Sequence, residues 1–424
     1  MALGLVFIEI LSLVGGNPGI DCGGFCEFCY FKRVDYKILD NSSIGCRYCP
    51  PIQMECDYCY SKIKIVKSGF KPPSEVLKEF QKELFMQELL GFLNFKDLKV
   101  NVGSWADILN YPYLNELISY FKELELPVNL GYTSGKSIHN EKIAENIISM
   151  GVDEVSFSVF SMDPNKRKRW MNDKTPEESL KALKLFCETI DVNCATVVIP
   201  DVIDRADIFR TCSILEDWGI KMFILSRFAN FKNQGLILNN KPTIDGKNTH
   251  SINDFHELVK DVANEFNFRI IGLPASDPKN DIPFIISRAK YKKYLEELPP
   301  INSRATLLTS KLAAPYLKKI FEVIDEDNLV NIINVDKEIA DLITHEDITQ
   351  INLNEVKKKV IVPGGALIRD EQLKKLFNKD GNQRIIIRGP QVLSPFDIYG
   401  NMDKEELIRG ELKAFRILIE RINQ

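Results

Sequence analysis

The sequence predicts an α/β protein in two parts: a run of parallel βα units with a cysteine-rich metal loop near its N-terminal end, then a smaller α/β domain. Three observations carry this. Seven of the ten cysteines fall between positions 22 and 59, short β-branched runs alternate with amphipathic stretches through the middle of the chain, and a second such alternation follows Pro299-Pro300. Alternating strand and helix patterns imply parallel strands joined by helical crossovers. Six such units make an open or partial (β/α)6 barrel, or a doubly wound sheet, and spacing alone does not separate the two. In either, reacting groups lie at the C-terminal ends of the strands.

Strands are expected over 3–14, 98–102, 128–132, 155–160, 192–199 and 220–225. The first helix, 73–90, opens at Pro72-Pro73-Ser74 and repeats Val76, Leu77, Phe80, Leu84 and Leu89 at helical spacing. Others are expected over 112–123, 141–150, 176–189 and 206–218. A polar stretch, 228–249, is followed by a helix over 252–265 and a strand over 268–272. Beyond the proline pair come a strand at 305–309, a helix at 311–324, strands at 330–335 and 359–362, a helix at 369–377 and a strand at 384–388. The expected organisation is therefore a barrel domain over 1–230, a connecting, substrate-facing segment over 231–301 and an α/β domain over 302–424.

Composition narrows the function classes. The chain is 45% hydrophobic, which rules out a disordered protein, and its formal net charge of -4 provides no bulk positive field for nucleic acid. The apolar run 1–14 contains Glu9 and is too short to span a bilayer, so a soluble, cytoplasmic protein with neither a membrane nor a nucleic-acid partner is expected. In a reducing compartment, clustered cysteine pairs mean metal more often than disulfides.

Cys22, Cys26 and Cys29 form a C-x3-C-x2-C triad directly after the first strand. Thiolates at such spacing hold iron-sulfur clusters, and three ligands on a four-iron cluster leave one iron open for a substrate or small cofactor. A zinc knuckle, or three ordinary cysteines, is the alternative. Cys46, Cys49, Cys56 and Cys59 form two C-x2-C knuckles, a tetrahedral four-thiolate shell for zinc or a single iron, with an auxiliary cluster as a third option. A closed shell leaves no position for substrate, so this site is structural or transfers electrons. Cys187, Cys194 and Cys212 read as buried small hydrophobes.

The triad, with Phe28 before its third cysteine, resembles the signature of the radical S-adenosylmethionine (SAM) superfamily. Taken with Pro18-Gly19-Ile20-Asp21, the four-cysteine loop, the run Leu130-Gly131-Tyr132-Thr133-Ser134-Gly135-Lys136 and Arg227-Phe228-Ala229-Asn230-Phe231, the chain from about Asn17 onward resembles the methanogenesis marker protein ten family. These are cobalamin-dependent radical SAM enzymes that C-methylate an arginine in the α subunit of methyl-coenzyme M reductase. The resemblance implies a partial radical SAM barrel with a 4Fe-4S cluster on Cys22, Cys26 and Cys29, and an additional iron (or zinc) on the four later cysteines. It implies cobalamin in the C-terminal domain, the reductase α subunit as partner and an unidentified electron donor. It also implies that Tyr132 occupies the open iron when SAM is absent.

Where the superfamily carries a Gly-Gly-Glu-like turn, this chain has Gly103-Ser104-Trp105-Ala106-Asp107. Phe28, Gly103 and Asp107 are the candidate SAM contacts, with Asp107 as acceptor and Arg227 as partner of the SAM carboxylate. A solvated surface charge is the alternative for each of the two charged residues. None of the four histidines sits in the Asp-x-His-x-x-Gly pattern that ligates cobalt. The candidate cobalamin residues are Thr306, Thr309 and Ser310 at a strand-to-helix junction, Gly364 and Gly365 in the turn beside it, and, by resemblance, Leu342 beneath the cobalt.

An arginine Cδ–H is neither acidic nor electrophilic, so acid–base groups have nothing to act on and cofactors take the difficult step. The expected course uses two SAM molecules, one to methylate cobalamin and one to generate a radical that removes the hydrogen; the stretch 230–249 is a candidate lid or docking loop. A cobalamin-independent radical SAM peptide-modifying enzyme and a zinc-knuckle binding protein are the other readings.

Overall fold

The computed structural model describes residues 8–34, 69–89, 98–235, 241–398, 400 and 402–424. These divide into two compact units. The first takes the described residues up to Arg33, those from 69 to 228 and Thr243–Leu273; the second takes Val34 and the described parts of 229–242 and 274–424.

The first unit is built on seven strands: β1 Ile8–Leu13, β2 Leu98–Gly103, β3 Val128–Thr133, β4 Glu154–Ser158, β5 Asp191–Val198, β6 Met222–Arg227 and β7 Arg269–Leu273. All pair in parallel, in sequential order, and β1 and β7 remain as open edges. A doubly wound sheet would reverse its order at a switch point, so the monotonic order resolves the choice left open by spacing in favour of barrel-type winding. Because parallel crossovers are right-handed, successive ones in a monotonic sheet place their helices on the same face.

The helices are α1 Pro73–Leu89, α2 Leu114–Glu123, α3 Glu141–Ser149, α4 Pro164–Met171, α5 Pro176–Thr189, α6 Arg205–Asp217 and α7 Ile252–Glu265. In α2, Leu114, Leu117, Ile118 and Phe121 recur at helical spacing and are buried. They join Val100, Val128, Leu130, Val155 and Phe157 in one core. The opposite face of the sheet carries a polar cluster. There Lys99 pairs with Glu154 at 2.8 Å, Asn193 donates to the same carboxylate at 2.6 Å, and Asn129 lies across from Asn101.

In the first unit, two elements differ from expectation. The strand expected at 268–272 extends the first sheet as β7, because Met222 to Ser226 of β6 pair with Arg269 to Leu273. Helix α4, with the sequence PNKRKRWM, has no apolar periodicity to announce it. Asp163 starts it by accepting from Asn165 N at 2.8 Å, with Pro164 in the first turn.

The second unit holds a four-stranded parallel sheet: β8 Ala305–Thr309, β9 Val330–Asn334, β10 Lys359–Val362 and β11 Ile385–Arg388, in the order β11-β10-β8-β9. Here the order does reverse, at β8, so the crevice between the C-terminal ends of β8 and β10 is a topological switch point. Its helices are α8 Ala314–Ile324, α9 His345–Thr349, α10 Asp370–Phe377 and α11 Lys404–Asn423. The last, outside every sequence expectation, buries Leu407, Phe415 and Ile419 in the unit's core. The segment expected to connect the domains is shared: Thr243–Leu273 belongs to the first unit and 274–301 to the second. No helix among the described residues is long and apolar enough to cross a membrane.

Candidate functional site: three thiols at the strand ends

The loop after β1 carries Cys22, Cys26 and Cys29, all free thiols and all partly buried. It is fastened on several sides. Gly15 O accepts from Trp105 N at 3.0 Å and Ser104 Oγ at 2.8 Å, and Asp21 O accepts from Asn110 Nδ2 at 2.9 Å, so the loop after β2 holds its first half. Its second half rests on the C-terminal end of α4. Glu27 N donates to Trp170 O at 2.8 Å, the Cys26 thiol donates to Met171 O at 3.6 Å, and Phe28 stacks on Phe160 with ring centroids 4.8 Å apart. Gly24 is required at this junction. Its φ is +112°, and a Cβ there would overlap the Asn172 amide.

The loop after β3 closes the site from the other side. Lys136 is 5% exposed; its Nζ donates to Gly24 O at 2.7 Å and approaches Cys26 Sγ at 3.7 Å. Behind it, Arg167 is wholly buried. Its guanidinium forks onto Asp173 at 3.0 and 2.8 Å, and reaches Ser134 O, Ser158 O and Val159 O, joining the ends of β3 and β4.

Burial raises all three thiols above their ordinary range, Cys29 to about 12, while Lys136 pulls each the other way. Charge on Cys22 or Cys26 is felt at Cys29, so the three lie within electrostatic reach of one another. Among the described residues no three His, Cys, Asp or Glu side chains converge on one ion. Ligands to separate irons of a cubane do not share a single centre, and a buried ammonium beside soft sulfur donors matches an anionic thiolate-ligated cluster. The triad thus fits a cluster better than a single metal.

Tyr132 owes its position to a register shift. Leu130 pairs with Val155 but Tyr132 pairs with Ser156, so β3 carries one extra residue at Gly131. Strict alternation would put Tyr132 on the helix-covered face with Leu130; the bulge turns it to the opposite face. There it is 45% exposed, and desolvation by its surroundings raises its phenol above the ordinary value.

Asp107, the candidate acceptor for SAM, is 3% exposed and already engaged: it accepts from Leu109 N at 3.1 Å, Ser134 N at 2.9 Å and Ser134 Oγ at 2.5 Å. Gly103 ends β2 opposite Leu13. Arg227 ends β6, is buried, and donates through Nη1 to His250 O at 3.1 Å. Neither Asp107 nor Arg227 is a solvated surface charge. Cys46, Cys49, Cys56 and Cys59 lie outside the described residues. Cys194 and Cys212 are buried, and Cys187 is half-buried.

In the second unit, β8 and β10 pair directly, which brings the Thr309–Ser310 junction beside the 363–366 turn at the switch point. The individual residues are largely committed within the chain. Thr306 is fully buried, bonds Asn331 at 2.8 Å and accepts from Lys357 N. Ser310 Oγ accepts from Ala313 N at 3.4 Å, and Thr309 is buried. A Cβ at Gly364 would overlap Pro390 O, and one at Gly365 the Asp341 carboxylate, so both glycines admit the chain's own groups. Leu342 is half-buried, facing Gly235. The start of the 230–249 stretch is anchored in this same unit: Lys232 O accepts from Lys337 Nζ at 2.9 Å and Asn233 O from Glu338 N at 2.9 Å.

Sequence reasoning assigned no role to Lys136, Arg167 or Asp173. The Asp163-Pro164 helix start was the one local signal that could have found the element carrying Arg167. A groove of about 700 Å³ lined by Asn115, Ser119, Lys122 and Asn146 lies among residues of α2 and α3, away from the strand ends.

No protein-family model matches the chain, nor does any curated protein. Among solved structures, it is similar to Streptococcus suis SuiB, with 14% identity and a TM-score of 0.40 over 62% of this chain and 49% of SuiB. SuiB bound to precursor peptide SuiA matches at 14% identity and a TM-score of 0.39, over 62% of this chain and 48% of that one. Coproporphyrinogen III oxidase (HemN) from Escherichia coli, a radical SAM enzyme, matches at 12% identity and a TM-score of 0.37, over 62% of this chain and 53% of its own. The chain spans about half the length of SuiB.

Proposed function

We propose that the chain is a radical SAM enzyme whose Cys22, Cys26 and Cys29 hold a 4Fe-4S cluster, and that it C-methylates an arginine at Cδ in the α subunit of methyl-coenzyme M reductase with the help of cobalamin. The observation that carries the reading is the triad itself: three partly buried free thiols at the C-terminal end of β1, beside a buried ammonium, in a sheet wound in barrel order. The cluster would supply the electron that cleaves SAM to a carbon-abstracting radical, and cobalamin at the second unit's switch point would supply the methyl group.

The chain's own residues position and enclose. The loops after β1, β2 and β3 are tied to each other by Ser104, Asn110, Asp107 and Lys136, which fixes the thiols against movement. Tyr132 is turned to the other face of the sheet from Leu130 by the bulge at Gly131. The stacked rings of Phe28 and Phe160 brace the triad loop on its apolar side. Four-thiolate binding of iron or zinc at Cys46, Cys49, Cys56 and Cys59 completes the reading.

The test is metal content and turnover on protein purified without oxygen and supplied with cobalamin. About five irons and one cobalt per chain are expected, with reductant-dependent release of 5'-deoxyadenosine from SAM and one added methyl on arginine of a reductase α-subunit peptide. Iron and SAM cleavage without retained cobalt would replace the methyltransferase by a cobalamin-independent peptide modifier. Zinc alone, with no cluster after reconstitution, would leave a binding protein.

A further inference from the structure

We propose that Lys136 is the buried counter-cation of the triad's cluster, a positioning residue that retains the cluster and raises its reduction potential. The inference rests on the radical SAM reading.

Lys136 is delivered by a rigid loop. Gly135 N donates to Thr133 Oγ1 at 3.0 Å, Ser179 Oγ donates to Gly135 O at 2.9 Å, and a Cβ at Gly135 would overlap the Phe157 ring. The side chain runs inward to Gly24 O and Cys26 Sγ and is almost entirely removed from solvent. A buried ammonium is stable only when its charge is met. Among the described residues no carboxylate pairs with it. The nearby acids are spent elsewhere, Asp107 on Ser134 and Leu109, and Asp173 on Arg167.

The three thiols lie where the missing negative charge would arise. Metal binding requires thiolates, so loading the triad releases protons and creates anionic sulfur next to Nζ. A fixed positive charge that hydrogen-bonds a ligand sulfur favours the reduced, more negative cluster over the oxidised one, and so raises its potential. Arg167 does not duplicate this role, because Asp173 already meets its charge.

The experiment compares the wild-type chain with K136M, K136Q and K136R, each reconstituted with iron and sulfide without oxygen. Iron loss to a chelator and the midpoint potential from an EPR-monitored redox titration are measured. K136M and K136Q should lose iron on the order of tenfold faster and titrate at a more negative potential, while K136R stays close to wild type. Gln retains a donor for Gly24 O without the charge, so K136Q separates electrostatics from loop anchoring and decides the question if K136M does not fold. Wild-type retention and potential in K136Q would overturn the inference and leave the radical SAM reading standing. Failure of the wild-type chain to take up any cluster would overturn that reading itself.

Discussion

Asp107, in the loop after β2, and Ser134, after β3, are joined twice: the Ser134 backbone N–H and hydroxyl both donate to one carboxylate oxygen, at 2.9 and 2.5 Å. The clasp holds together the two loops that flank the thiols. Hydrogen bonds to a buried carboxylate each contribute about 2 kcal/mol, so Ser134→Ala should lower stability by about that amount and Asp107→Ala by about 3 kcal/mol or more. Urea denaturation checks both. An Asp107→Ala protein of unchanged stability would show that the carboxylate is not a structural clasp.

Gly131 determines which way Tyr132 points. A Cβ there would stand 3.0 Å from Gly103 Cα and 3.1 Å from Val102 O, so Gly131→Ala must push β2 and β3 apart. Overpacking of this kind costs about 1–3 kcal/mol. The thermal midpoint should fall accordingly, and Tyr132, the one tyrosine on β3, should change its accessibility to tyrosine nitration.

Arg167 and Asp173 form an ion pair with no solvent exposure on either side. Breaking it from one side leaves a bare buried charge, so Arg167→Met or Asp173→Ala should each cost about 3–5 kcal/mol. In a double-mutant cycle the combined loss should be much smaller than the sum. Additive losses would mean that the guanidinium acts mainly through Ser134 O, Ser158 O and Val159 O.

Glu411 of α11 is buried and accepts from Ile285 N and Ile286 N, both at 3.0 Å, and from Ser394 Oγ at 2.6 Å. Desolvation outweighs these bonds and raises its pKa above the ordinary carboxylate value. The folded state therefore holds the proton more tightly than the unfolded one. The resulting stability is fully present below the unfolded pKa and is lost as pH rises through the raised folded value. Glu411→Gln removes that slope. Thermal midpoints measured across the mildly acidic range should show the wild-type chain losing ground to E411Q as pH rises; parallel curves would contradict the shift.

Much of the frame was legible because it depends on local chemistry. The β-branched runs at 98–102 and 128–132 became β2 and β3 nearly residue for residue, and Pro72-Pro73-Ser74 opened α1 where a proline-led helix should start. The triad stands out as a candidate site because thiol spacing is itself a coordination signal. Helix α4 was not legible, since its polar sequence buries Arg167 and Met171 through tertiary contacts that leave no apolar rhythm. The bond of Asp107 to Ser134 was not legible, because the two lie 27 residues apart and meet only when β2 and β3 pair.

Residue identity alone marks Cys22, Cys26 and Cys29 as candidate soft-metal ligands and carries the βα alternation that delivers them, because ligand type and hydrophobic period are written in consecutive residues. Folding was needed to choose barrel winding for the first sheet and a switch point for the second, since strand order is a property of pairing between distant segments. Folding likewise turned Tyr132 to the opposite face from Leu130 and drove the Lys136 ammonium against Cys26, because a one-residue bulge and a buried charge take their meaning from what lies across the sheet.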